Sequence, residues 1–411
     1  MATQKAPDDP AKVIQLRCHC VVCSLTLSFL ISEEIDCRIE AVAIDTSCYR
    51  TNWRIHLKNK EIKMRYKLLG KSGLRVSELC LGAMTFGDEW GWGASKDESR
   101  GIYEAFLEAG GNFIDTANVY TEGSSERFLG EFMAAHREKV VLATKYTLSG
   151  PLEDPNSAGN QRKSMMQAVE ASLRRLKTDY IDLYWLHAWD FLTPVEEIMR
   201  AFDDLVRQGK VLYIGVSDAP AWIVSRANTM AELRGWTAFV GLQIEYSLIE
   251  RTPERELLPM ARELDLGVTA WSPLAGGLLT GKYSRQGEKG EARRLDHDML
   301  KGFSDIDKRK LAIAEAVRSV AQDIGSTEAR VALAWLRQQK GVVIPIVGAR
   351  AVSQLKDNLR CLEVTLESEH LERLDEASRI ELGFPHDFFK VDLVRQLVYG
   401  GMRDSIDNHR G

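Results

Sequence analysis

From Met64 onward the chain alternates short apolar runs with stretches of helical period, and the two patterns exchange places with enough regularity to be walked. Tyr66 to Gly70 and Leu74 to Ser77, joined through Lys71-Ser72-Gly73, predict a β-hairpin in which glycine supplies the φ > 0 position. Leu79 to Gly82 is a short apolar strand. Ser95 and Glu98 are spaced as a capping box for a helix that puts Ile102, Ala105, Phe106 and Ala109 on one face and stops at Gly110-Gly111. Phe113 to Asp115 is the next strand, Phe128 to Ala135 the next helix, and Val140 to Lys145 the third strand. Met166, Val169, Leu173 and Leu176 come next, at the 3, 4, 3 spacing of a buried helix stripe. Tyr180 to Leu186 is the fourth strand. Thr193-Pro194-Val195-Glu196 then predicts an N-cap, a proline at the first helical position and a capping-box glutamate, with Ile198, Met199, Phe202, Leu205 and Val206 inside. Strands over 211–216, 240–244, 267–271 and 342–347 complete the series, the last preceded by a long helical stretch from Arg309 to Lys340.

Eight strand–helix units over about 300 residues predict a (β/α)8 TIM barrel with an N-terminal hairpin cap and a C-terminal tail over 383–411. The competing architecture is a doubly wound sheet. It needs a Gly-x-Gly-x-x-Gly turn after its first strand, and the sequence has none there. A barrel gathers the carboxyl ends of its strands on one face. Asp115, Lys145, His187, Ser217, Gln243, Ser272 and Gly348 all stand at such ends.

Residues 1–63 differ in character from the rest of the chain: no clear period, no capping signals and five of the seven cysteines (Cys18, Cys20, Cys23, Cys37 and Cys48). The expectation is an atypical, poorly ordered extension to a barrel unit that runs from 64 to 411, with Met64 as the working start. The apolar stretch Val21 to Ile31 is shorter than the roughly 20 residues that span a bilayer, and it lacks the basic start and cleavage site of a signal peptide. Cys18-His19-Cys20 and Cys23 match no standard zinc spacing and have no second pair at a useful distance. Only Cys80 and Cys361 lie in the barrel region, which argues against a disulfide framework and for a reducing, cytoplasmic setting.

Composition narrows the partner. The 411 residues are 45% apolar and 27% charged, with a formal net charge of −5, so the chain is globular and offers no basic field for nucleic acid. Neither a membrane nor a metal is implied, and a small molecule is the expected partner. One apparent phosphate motif is a decoy: Gly276 to Lys282 fits the first seven positions of a P-loop, but Tyr283 stands where the magnesium-binding Ser or Thr is required.

The strand-end chemistry has its own logic. Asp115 closes one strand and Tyr120 comes five residues later, near enough for a short loop to fold the phenol back over the carboxylate. Burying that pair is costly unless a cation joins it, and Lys145, closing the next strand, can supply one. Taken singly, each residue has an ordinary explanation as a turn, packing or surface group; their joint spacing is what carries weight. Asp-Thr-Ala-x-x-Tyr after the second strand, the lysine closing the third and Leu-His closing the fourth resemble the catalytic tetrad of the aldo-keto reductases. The resemblance runs from about residue 64 to 380 through Gly215-Val216-Ser217, Gln243 to Ser247, Trp271 to Leu274 and Gly348-Ala349-Arg350.

That resemblance implies an NADPH-dependent reduction of an aldehyde or ketone to an alcohol. Tyr120 would donate the proton, Lys145 would favour its phenolate, Asp115 would hold Lys145, and His187 would donate a hydrogen bond to the substrate carbonyl. It also implies that Ser217, Asp218 and Gln243 bond the nicotinamide carboxamide and that Trp271 stacks on the ring. Ser272, Leu274, Gly276 and Lys282 would line the pyrophosphate, under a mobile loop over 284–308, and Gly348 would belong to the same wall. Arg350, whose planar fork suits a ribose 2'-phosphate, favours NADPH over NADH, with Gln354 and Asn358 facing the adenosine end. Two departures stand out: Asp218 where the family often has Asn, and Trp271 where many members have Tyr.

Two other functions resemble the same pattern. Potassium-channel β subunits use this nicotinamide-binding barrel as a regulatory module, and some barrels are Schiff-base aldolases, for which Lys145 would be the nucleophile. An Asp115 salt bridge argues against the aldolase, whose lysine must be neutral. Trp90, Trp92 and Trp189, in loops after the first and fourth strands, suggest an aromatic pocket for carbonyls of modest polarity. The tail, with Phe384, Phe388 and Phe389, is a candidate either to close the site or to dock a second subunit of a homo-oligomer.

Overall fold

The computed structural model describes residues 37–44, 51–57, 64–149, 153–282 and 307–408. They fall into two compact units divided between Glu61 and Ile62. In the first, β1 (Cys37–Ile44) pairs antiparallel with β2 (Thr51–Leu57), with Cys37 opposite Leu57 and a register shift between Ala41 and Ile44. A paired hairpin within a segment expected to have no period is a difference from the sequence reading. The cause is legible in retrospect: Trp53, Ile55 and Leu57 alternate with Asn52, Arg54 and His56 at the period of a strand. The Cys18 to Cys23 cluster and the Val21 to Ile31 stretch lie outside the described residues.

The second unit is a closed barrel of eight parallel strands: β5 (Cys80–Gly82), β6 (Phe113–Asp115), β7 (Val141–Tyr146), β8 (Ile181–Leu186), β9 (Val211–Ser217), β10 (Phe239–Glu245), β11 (Gly267–Trp271) and β12 (Val343–Val347). The ring closes where Ile346 and Val347 of β12 pair with Cys80 and Leu81 of β5. Its connecting helices include α1 (Lys96–Glu108), α2 (Ser124–Phe132), α3 (Arg162–Leu176), α4 (Val195–Arg207), α5 (Ala221–Arg234), α6 (Leu257–Glu263), α7 (Lys308–Asp323), α8 (Glu328–Arg337) and α9 (Val352–Leu359). The TIM-barrel expectation is met. No described helix is long and apolar enough to cross a membrane.

Strand periodicity decides which side chains reach the site. Along β7, Val141 and Ala143 pack in the barrel interior, Leu142 and Tyr146 pack outward under the helices, and Lys145 continues the inward series. The same parity turns Asp115 inward after Phe113, and His187 after Leu183 and Trp185. Trp185 fills the interior so closely that a Cβ on Gly215 of β9 would lie 2.3 Å from its ring, and one on Gly241 of β10 2.8 Å. Those glycines are required by packing, since real Cβ atoms do not approach this closely.

The cap is the predicted hairpin, β3 (Tyr66–Leu68) paired with β4 (Arg75–Ser77), and its left-handed residue is Gly70, with φ +52°. A Cβ at Gly70 would lie 2.4 Å from the Val240 carbonyl and 2.5 Å from that of Asp265, so the hairpin backbone sits directly against the amino-terminal side of β10 and β11. Leu69 is fully buried in the interior cluster.

Several local expectations hold and one fails. The Ser95–Glu98 capping box is formed at α1, with the Ser95 hydroxyl accepting from the Glu98 N–H. At α4 the predicted cap is absent. The Thr193 hydroxyl donates to Asp190 instead, Glu196 pairs with Arg226, and Pro194 occupies the cap position without a side-chain bond. Asp190 explains the exchange, because its carboxylate also accepts from the N–H groups of Leu192 and Thr193 and offers the hydroxyl a charged acceptor. α10 (Ser368–Ser378) precedes the tail, which holds α11 (Asp392–Val398), and the tail's Phe384, Phe388 and Phe389 are all exposed.

Candidate active site

Four of the predicted residues meet at the carboxyl end of the barrel. The Lys145 ammonium is completely buried and reaches three oxygens: it is ion-paired with Asp115, donates to the Thr116 carbonyl at 2.9 Å, and donates to the Tyr120 hydroxyl at 3.2 Å. The backbone delivers Tyr120 by a tight turn in which Thr121, Glu122 and Gly123 are all left-handed, with φ of 45°, 54° and 83°. Thr121 pins that turn, its hydroxyl donating to the Phe86 carbonyl at 2.7 Å and accepting from the Ser125 N–H. The His187 ring lies edge-on to Tyr120 with centroids 5.9 Å apart. Its Nδ1 is buried and has no partner among the described residues.

Electrostatics assigns protonation states. Burial works against the Lys145 charge, but Asp115 and then Tyr120 outweigh it and hold the pKa above the ordinary lysine value. Burial also pushes the Tyr120 phenol above its ordinary value, with Lys145 pulling the other way and losing. Lys145 does act in the expected direction, toward the phenolate, but desolvation is the larger influence and the net shift is upward. Burial, with Lys145 second, holds His187 well below its normal range, so the imidazole is neutral and has one N–H to donate.

The cofactor candidates divide into three groups. Gln243 does more than line a wall, because its amide donates to the second oxygen of Asp115 at 3.0 Å. Asp115 is therefore held from both sides, by Lys145 and by Gln243. Ser217 closes β9 directly beside Gln243 in register. Asp218, left-handed at φ 46°, accepts from the indole N–H of Trp271 at 3.1 Å. Burial holds its carboxyl above the usual range, with Trp271, Ser217 and Lys145 opposing.

A second group shapes the chain after β11. Ser272, Ala275, Gly276 and Gly277 all have positive φ, a run that folds the segment into a compact turn with Leu274 packed on the core beneath it. Lys282 ends this described stretch, and the loop expected over 284–308 lies outside the described residues up to 306. The third group comes after β12. A Cβ on Gly348 would meet nothing nearer than 3.8 Å, so the backbone there is open. The Arg350 N–H donates to the Gln354 side chain at 3.0 Å, while Asn358, one turn on, is largely buried in α9.

Other features of the site carry no signal in the sequence pattern. Asn160 and Asp190 exchange bonds, the Asn160 N–H donating to Asp190 at 2.7 Å and the Asp190 N–H to the Asn160 side chain at 2.8 Å, which ties the loops after β7 and β8 together. Thr147 joins them, accepting from the His187 N–H at 3.3 Å and from Asn160 at 2.9 Å. Of the three tryptophans, Trp90 packs edge-on against Tyr120 with centroids 6.4 Å apart, and Trp189 packs against the exposed Phe191. Trp92 is buried behind Trp90, so it supports the rim without lining it.

An ion-paired lysine bridging an aspartate and a tyrosine, with a histidine beside them at the mouth of an eight-stranded barrel, defines an oxidoreductase-type site. The Aldo/keto reductase family model matches residues 78–379, and the chain belongs to that family. It is similar to a norsolorinic acid reductase of Aspergillus flavus, 38% identical over 78% of this chain and 82% of that protein. An aryl-alcohol dehydrogenase [NADP(+)] of Phanerodontia chrysosporium is 40% identical over 77% and 86%. An uncharacterized oxidoreductase of Bacillus subtilis is 42% identical over 76% and 95%.

Proposed function

We propose that this aldo-keto reductase reduces an aromatic aldehyde or ketone to the alcohol with NADPH. The observation that carries the reading is the buried Lys145 ammonium, bonded at once to Asp115 and to the hydroxyl of Tyr120. Bound NADPH would supply the hydride to the carbonyl carbon. Tyr120, kept neutral by burial, gives its proton to the carbonyl oxygen, and the ammonium 3.2 Å away stabilises the phenolate left behind. Asp115 keeps Lys145 charged and in place. His187, neutral, donates to the same carbonyl oxygen and fixes its orientation.

The residues fit the cofactor. Trp271 offers a half-exposed indole bonded to Asp218, the turn from Ser272 to Gly277 with its run of positive φ suits a pyrophosphate, and Arg350 after β12 suits a 2'-phosphate. The substrate class rests on the rim of Trp90, Trp189 and Phe191 and on the names of the relatives, which refer to an aryl alcohol and to norsolorinic acid. Cys80 and Cys361 are buried thiols, which suits a reducing cytoplasm.

The test is NADPH oxidation across a panel of aromatic and aliphatic carbonyls, run beside Tyr120→Phe. The variant is expected to lose about 10²–10⁴-fold in turnover while still binding NADPH. Retained turnover would remove Tyr120 from the mechanism, and a preference for aliphatic carbonyls would remove the aromatic rim from substrate choice.

A further inference from the structure

Asp218 is a carboxylate in an unusual position. It stands at the carboxyl end of β9, open to solvent on one side yet enclosed enough that desolvation raises its carboxyl pKa, in a left-handed conformation that Asp and Asn tolerate better than other side chains. No Lys, Arg or His side chain among the described residues forms an ion pair with it. Its side chain accepts from the indole N–H of Trp271 at 3.1 Å, and its own backbone carbonyl accepts from the N–H of Trp189 at 3.3 Å. An indole nitrogen only donates and a carboxylate only accepts, so the pair is matched in one sense and cannot be flipped.

The nearest cation does not neutralise it. Lys145 acts on Asp218 from a distance but is itself ion-paired with Asp115, so the Asp218 charge is left without a close partner cation among the described residues. We propose that Asp218 fixes the plane of Trp271 and, held there, favours the oxidised over the reduced form of the nicotinamide cofactor. The inference rests on the cofactor reading above. An oxidised nicotinamide ring carries a positive charge that the reduced ring lacks. The indole that would stack on the ring is bonded edge-on to the carboxylate, so the negative charge belongs to the same shelf. Opposite unit charges about 5 Å apart in a water-like dielectric already give about a fourfold preference, and a partly dehydrated cleft increases it. Asp218 is in this sense a positioning and redox-form-selecting residue. An asparagine at the same place could bond the indole through its amide oxygen but would bring no charge.

Binding, measured without substrate, separates the possibilities. NADPH and NADP⁺ are titrated against the full chain and against Asp218→Asn, which keeps the left-handed backbone accessible. The expected result is that Asp218→Asn weakens NADP⁺ relative to NADPH by about tenfold, equivalent to ~1.4 kcal/mol. Trp271→Phe keeps an aromatic face but deletes the N–H. It should move the same ratio in the same direction by a smaller factor, because the carboxylate is no longer held. An Asp218→Asn ratio within about twofold of the wild type overturns the inference while leaving the cofactor reading intact. A Trp271→Phe ratio identical to wild type overturns the tether. Wild-type protein that binds neither form sinks the cofactor reading and this inference with it.

Discussion

Lys145→Met isolates the buried ion pair. The side chain has no exposed surface, and its removal leaves the Asp115 carboxylate, itself 3% exposed, with a single neutral amide donor, Gln243 at 3.0 Å. Breaking one partner of a buried pair costs about 3–5 kcal/mol, because the remaining charge is neither solvated nor compensated. Removing both charges is a different perturbation. Lys145→Met combined with Asp115→Asn leaves a neutral amide that can still accept from Gln243, and the double variant should recover to within about 1 kcal/mol of the wild type. Chemical denaturation followed by tryptophan fluorescence measures both. Activity should not track stability: neither variant restores an ammonium beside Tyr120, so both remain inactive as reductases. A double variant less stable than Lys145→Met, or one that regains turnover, would refute the assignment of Asp115 as the group that holds Lys145.

Three single contacts lead to further expected outcomes. Arg350→Ala should weaken NADPH by about 10–100-fold through the lost charge-assisted bonds and leave NADH unchanged; an unaltered preference in cofactor titrations would count against Arg350 as the phosphate clamp. Glu245 at the end of β10 is raised by burial, and by Glu250 and Asp218, to about 7. Its folded value lies above the unfolded one, so the fold binds the extra proton and loses stability as pH rises from about 4.5 to about 7. Glu245→Gln should therefore match the wild type at pH 5 and exceed it at pH 8 by about 1 kcal/mol after solvent screening, and equal melting at both pH values would contradict the shift. Ser95→Ala, which opens the α1 capping box, should cost about 0.5–2 kcal/mol without changing cofactor affinity.

The barrel is legible in the chain because strand parity and helix caps are local properties. Phe113, Asp115, Val141, Ala143 and Lys145 alternate inward along two adjacent strands, and the chain spells that alternation without help from tertiary structure. Boundaries fail where polar residues are drawn into the fold. The apolar pattern predicts α2 from Phe128, yet the helix starts at Ser124, since Ser124, Ser125 and Glu126 are buried and look, in sequence, like a loop. Ser125 donates to the Ala83 carbonyl, and Glu126 pairs with Arg175 while accepting from Thr144, so its buried charge is compensated from two directions. Thr193 fails for a related reason: a capping pattern is a statement about one side chain and its own helix, and Asp190 offers a stronger acceptor three residues away.

The site shows the same division more sharply. Which residues gather can be read from strand ends, but which influence dominates among them cannot. Lys145 beside Tyr120 predicts a lowered phenol pKa if the ammonium acts alone. The enclosure that makes the ammonium effective also desolvates the phenol, and desolvation is the larger influence. A neutral phenol next to a charged lysine is better suited to giving a proton than to taking one. Asp218 acts on the other reactant if it selects the oxidised cofactor, because it eases departure of the reduced ring's hydride and opposes recapture. The two effects then point the same way in the reaction: Tyr120 holds the proton that the carbonyl oxygen needs, and the charge on the Trp271 shelf favours the cofactor that has given up its hydride.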